Sequence, residues 1–162
     1  MLQFEELFLP WYDTGMETKR FSYQSDDGIE IHAAAFLPSG EPKAVVQIAH
    51  GMAEHKERYV PVAEVFTNAG FAVYINDHRG HGATAGSVDA LGFFAEKDGW
   101  QKVIDDMRKL SLIAKKEFPG VPYILFGHSM GSILARHFAM QESIPCCAQR
   151  VCTGHRGIPS SL

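Results

Sequence analysis

Tyr123-Ile124-Leu125-Phe126-Gly127-His128-Ser129-Met130-Gly131 changes character partway along. Its first four residues are a short apolar run with aromatic and β-branched members, as in a buried strand. Over residues 130–141 the apolar Ile133, Leu134, Phe138 and Ala139 recur at helical spacing. Between the two lies Gly-x-Ser-x-Gly. A strand that turns this abruptly into a helix forces the residue at the bend, Ser129, into strained geometry and brings neighbouring backbones close. Gly127 and Gly131 have no Cβ and leave room for that approach. The Ser129 hydroxyl is then expected to project from the sheet edge at the positive end of a helix, where a nucleophile would stand. The alternative is a glycine-rich turn carrying an ordinary serine.

Working outward, strands and helices alternate. Residues 44–49 and 71–75 read as buried strands, and residues 61–69 as a helix. In that helix Val62, Val65, Phe66 and Ala69 share a face, and Gly70 stands at the stop. Residues 100–117 form the longest helix. Its inner stripe is Trp100, Val103, Ile104, Met107, Leu110 and Ala114, and Gln101, Lys102, Asp105, Asp106, Arg108 and Lys109 are expected to face water. Pro119-Gly120 ends it. Residues 150–153 read as a last strand, and residues 21–25 and 29–37 as a hairpin around Asp26-Asp27-Gly28. Residues 1–17 read as an irregular lead-in to a domain spanning 18–162. The class is α/β: a mostly parallel sheet with helices on both faces and an antiparallel hairpin at one edge. Ligands of such sheets bind beyond the carboxyl ends of the strands.

Composition excludes several other classes. The chain has 162 residues, Lys+Arg 15 against Asp+Glu 19, a net charge of -4 and 46% hydrophobic residues. That is too apolar for a disordered chain, and it gives no electrostatic reason to expect nucleic acid. No apolar run reaches the roughly 18 residues of a membrane span. The start, Met1-Leu2-Gln3-Phe4-Glu5, lacks a signal's basic and apolar regions. Cys146, Cys147 and Cys152 are odd in number and two are adjacent, so a reducing cytoplasm is the expectation rather than a disulfide framework. Zinc on these thiols would need a fourth ligand such as His155, and no C-x-x-C pair is present.

A second element follows the strand at 44–49. Acyl transfer needs two N–H donors aimed at the developing oxyanion. The amide of Met130, next after the nucleophile, is one candidate. The amide of Met52, in His50-Gly51-Met52, is the other; otherwise Gly51 only ends a strand.

Three motifs, His50-Gly51-Met52-Ala53-Glu54-His55, Asp77-His78-Arg79-Gly80-His81-Gly82 and Gly127-His128-Ser129-Met130-Gly131, occur in one order. Together they resemble the α/β-hydrolase family, in particular its monoacylglycerol lipase and lysophospholipase branch of serine-aminopeptidase-like hydrolases. Thr84 departs from the serine usual in that branch. The resemblance implies the first six of the fold's eight strands, with the cap and last strands absent. It also implies a serine nucleophile and carboxylic ester substrates of the monoacylglycerol or lysophospholipid type. No cofactor enters that chemistry. Asp77 and Arg79 are assigned to loop scaffolding, and a metal site of His78, His81 and Asp77 is the minor alternative.

In this fold the triad runs Ser, then Asp or Glu, then His. After Ser129 the chain offers only Glu142, His137 and His155, so the expected acid and base are not in this chain. The competing expectations are an inactive half-domain serving as a folded fragment or interaction module, and an acyltransferase or peptidase built on the same elbow. An open edge at the last strand would favour self-association or a separate chain that completes the domain.

Overall fold

Every residue of Val45–Ala49 and of Ala72–Asn76 is buried, as expected of strands covered on both faces. In the computed structural model, which describes residues 16–142 and the backbone of 151–154, these are β3 and β4 of a six-stranded sheet. The other strands are β1 (Glu17–Gln24), β2 (Glu30–Leu37), β5 (Tyr123–His128) and β6 (Val151–Gly154). The spatial order is β1-β2-β4-β3-β5-β6. β1 pairs antiparallel with β2, and β2 antiparallel with β4, while β3, β4, β5 and β6 are mutually parallel. The hairpin therefore closes one edge, as expected, with its first strand beginning at Glu17.

Helices α1 (Val60–Asn68), α2 (Gly99–Glu117) and α3 (Met130–Gln141) connect the parallel strands. Alternate side chains of β3 face opposite layers. Val46 and Ile48 pack with Tyr59, Val60 and Ala63 on the α1 side, and Val45 packs with Leu110 and Ala114 of α2. Ala49 joins Val103, Ile104, Met107, Leu134 and Phe138 between α2 and α3. Burying a side chain such as Leu110 contributes about 1.5–3 kcal/mol. The one polar residue of β3, Gln47, is satisfied by donating to the Met107 carbonyl and accepting from the Tyr123 hydroxyl.

Two periodicity readings need correction. The buried face of α1 is Val60, Ala63 and Thr67, with Val62 and Phe66 packed partly against it, whereas Val65 is 69% exposed. Counting apolar residues placed the stripe one position off, because Thr67 turns its hydroxyl back to the Glu64 carbonyl and so buries without loss. Asp106 of α2 does not face water but is fully buried. Its carboxylate accepts from Arg79 Nε at 2.6 Å and from the Ser25 hydroxyl at 2.5 Å. Cys146, Cys147 and His155 lie outside the described residues, as does the Cys152 side chain.

Candidate active site

The loops that follow β3, β4 and β5 meet on one rim. The bend after β5 is the tightest. Ser129 has φ 52° and ψ -120°, a strained conformation for a residue with a Cβ. It stands exposed between the last residue of β5 and the first of α3. Backbone contacts hold it there. A Cβ on Gly131 would lie 1.9 Å from the Ala49 carbonyl oxygen, and one on Gly127 would lie 2.4 Å from the Gly131 carbonyl oxygen. Both glycines are thus required by close approach of main chain to main chain, as the motif implied. Met130 opens α3, where a helix amide has no intrahelical acceptor. Its side chain is buried against Leu134 and Ala135.

The loop after β3 runs against this bend. A Cβ on Gly51 would sit 3.2 Å from Ser129 Cβ. Met52 follows with its side chain more than half exposed, and Ala53 takes a left-handed φ of 57°. Ala53 and Ser129 are two of the three non-glycine residues with positive φ among those described, so strain is concentrated around this rim. Glu54 turns back under the loop, and its Oε2 accepts from Gly51 N–H at 2.8 Å, the Tyr59 hydroxyl at 2.6 Å and His128 Nδ1 at 3.3 Å. Burial alone would raise the Glu54 carboxyl, but the hydrogen bonds from Tyr59, Gly51 and His128 outweigh it and hold it below the ordinary value. A cleft of about 420 Å³ opens beside Met52, walled by residues 52–55, 80–82, Leu91 and Gly92.

The loop after β4 is scaffolding. Asp77 accepts from the Lys56 amide (2.6 Å), Lys56 Nζ (2.7 Å) and the Ala83 amide (2.9 Å). Arg79 is buried and spans Asp106, Asp27 and Ser25. Its guanidinium holds the Asp27 carboxyl far below the usual range, against the opposing effect of burial. Thr84 Oγ1 accepts from the His32 amide at 2.9 Å, so the change from serine retains the hydroxyl where it is used. His50 accepts at Nε2 from the His78 amide (2.9 Å), which leaves its Nδ1–H to donate to the Gly51 carbonyl at 2.8 Å. Burial pushes His50 down to about 4, fixing the neutral form that this pattern needs. His78 lies against His50 with ring centroids 4.1 Å apart, and burial lowers it strongly as well. Among the described residues no group of three His, Cys, Asp or Glu is arranged to hold a metal ion.

Downstream of Ser129, His137 accepts the Trp100 indole N–H at 2.8 Å on the side of α3, and Glu142 pairs with Arg108 at 2.6 Å. Both are engaged away from the bend. Glu54 and His128 belong to the sequence motifs, but the sequence alone assigns them no role. The signal was an acid three residues after Gly51 and a histidine just before the serine, and only the fold shows that they meet.

Comparison with known proteins agrees with this architecture. A family profile described as serine aminopeptidase, S33, matches residues 40–154. The chain is 40% identical over 110 residues to a monoacylglycerol lipase of Mycolicibacterium smegmatis, covering 68% of this chain and 37% of that protein. It is 34% identical over 111 residues to the human monoglyceride lipase, covering 67% of this chain and 34% of that one. Among solved structures, a thermostable carboxyl esterase from Bacillus coagulans in complex with glycerol superposes with a TM-score of 0.76 at 34% identity, covering 85% of this chain and 44% of that chain. The chain thus spans little more than a third of the length of these curated relatives. Among the described residues no helix is long and apolar enough to cross a membrane. The strand order, the three motif loops on one rim and the profile match together establish that this chain belongs to the serine aminopeptidase S33 family of α/β-hydrolases.

Proposed function

We propose that this chain carries the nucleophile and the oxyanion donors of a serine hydrolase of carboxylic esters, of the monoacylglycerol or lysophospholipid kind. Ser129 Oγ gives its proton to the base and attacks the ester carbonyl, and the amides of Met52 and Met130 receive the charge that develops on its oxygen. The ester C–O bond then breaks as the alcohol leaves with that proton. The observation that carries this reading is the strained, exposed bend at Ser129, so close to Gly51 that an added Cβ there would lie 3.2 Å from Ser129 Cβ. The lipase and esterase relatives support the choice of substrate. A serine at its own pKa is a weak nucleophile. Because His137 and Glu142 are committed elsewhere, we assign the base and its acid to polypeptide other than the described residues, either joined to this chain or separate. A separate chain would add along β6, which in the described sheet pairs only with β5.

The test is reaction with a fluorophosphonate probe and with p-nitrophenyl esters of short and medium chains. Ser129-dependent labelling, with slow or absent turnover that rises when the C-terminal part of a relative is added, is the expected result. No labelling under either condition would refute the assignment. It would favour a second reading, an inert half-domain, for which the engagement of His137 and Glu142 away from Ser129 is the specific support. Light scattering reads the edge directly, and a monomer at all concentrations would remove self-association along β6.

A further inference from the structure

The carboxylate of Glu54 lies beside a site proposed to gather negative charge, where a bare anion would oppose catalysis. Its surroundings give it a different use. One oxygen, Oε2, collects donors from three separate elements: the Gly51 amide of the loop after β3, the Tyr59 hydroxyl at the start of α1, and His128 at the end of β5. Tyr59 is anchored in the core with Val60, Ala63 and Ile48. Gly51 precedes Met52, and His128 precedes Ser129. The turn between Gly51 and Glu54 passes through Ala53 at φ 57°, a conformation that costs about 1 kcal/mol or more and needs an outside constraint to persist.

We infer that Glu54 is a positioning residue that braces the Met52 amide against the Ser129 bend through Gly51 and His128, with Tyr59 as its fixed end. The inference rests on the hydrolase reading for its consequence but not for its geometry. Three donors disperse the carboxylate charge, so the brace can stand near an oxyanion without repelling it at full strength. Removing the brace lets the left-handed turn relax and carries the Met52 amide away from the place where the carbonyl oxygen must sit. A misplacement of about 1 Å in such a site lowers the rate by about a hundredfold.

The experiment compares the full chain with Glu54→Gln, Glu54→Ala and Tyr59→Phe, using the amide resonances of Gly51, Met52 and Met130 and the rate of fluorophosphonate labelling at Ser129. The expected series is graded. Glu54→Ala shifts all three amides, raises hydrogen exchange at Gly51 at least about tenfold, and slows labelling about ten- to a hundredfold. Glu54→Gln, which keeps an acceptor, recovers part of each effect. Tyr59→Phe gives a smaller change in the same direction and covers the case in which Glu54→Ala does not fold. The brace is refuted if Met52 and Met130 stay unmoved in Glu54→Ala, or if labelling keeps its rate while Gly51 shifts. Absence of labelling in the parent chain would count against the hydrolase reading alone, because the amide shifts decide the brace without it.

Discussion

The loop after β4 and the bend after β5 stand on the same rim, one strand apart, and use similar residues. The first contains Asp77, His78, Arg79 and His81, every one buried. The second contains His128 and Ser129, both exposed. By residue type the β4 loop has more of the look of a catalytic cluster. Its charges are nevertheless consumed by Lys56, Asp106 and Asp27, and its amides donate to the His32 and His78 carbonyls, to His50 Nε2 and to the Asp77 carboxylate. The bend after β5 has little side-chain bonding but carries backbone strain held by glycine contacts. The open side chain stands at the bend, while the ion pairs of Asp77 and Arg79 mark the frame, in which the His78 ring nitrogens and His81 Nε2 are buried without a hydrogen-bond partner.

Breaking the frame of the bend has the largest expected effect. Gly131→Ala drives a methyl into the Ala49 carbonyl and should cost at least about 5 kcal/mol, leaving little folded protein by circular dichroism. Arg79→Met should cost about 3–5 kcal/mol in urea unfolding, because it strands the buried Asp106 carboxylate. Adding Asp106→Leu to Arg79→Met should recover much of that loss; if it does not, the pair is not what holds the β4 loop.

Acid sharpens the contrast further. Burial pushes His50 down to about 4 in the fold from the ordinary 6.5, so the unfolded chain takes up the proton first. The stability tied to its neutral form is complete above pH 6.5 and falls by about 3 kcal/mol as the pH drops to 4. Thermal unfolding across that window reads it, and His50→Asn should flatten the slope. Asp27, depressed by Arg79, adds its loss only at still lower pH, below the ordinary carboxylate range.

The smallest effect lies at the bend itself. Ser129→Gly removes the Cβ from a positive-φ position and should raise stability by about 1 kcal/mol while abolishing probe labelling. A loss of stability instead would mean that the bend is not strained.

Much of this was legible in the sequence. The strand-to-helix switch around Ser129 and the alternation before it rest on periodicity and glycine sterics, which are local. Asp106 was misread because a carboxylate among Gln101, Lys102 and Asp105 follows the pattern of a wet face, and its partner Arg79 is 27 positions away. Val65 was placed inward because apolar counting cannot see that a threonine hydroxyl satisfied within its own helix buries as well as a valine. The meeting of Glu54 with His128 spans 74 positions and belongs to the sheet order, which no local pattern encodes.

The contacts that set the bend at residue 129 run between main-chain atoms of Gly127, Gly131 and Ala49 and make no use of the serine side chain. The shape is therefore inherited separately from the chemistry. A descendant gene could exchange that one side chain and keep its architecture intact, so sequences retaining both glycines but not the hydroxyl should be sought among its cousins as proteins of the same shape.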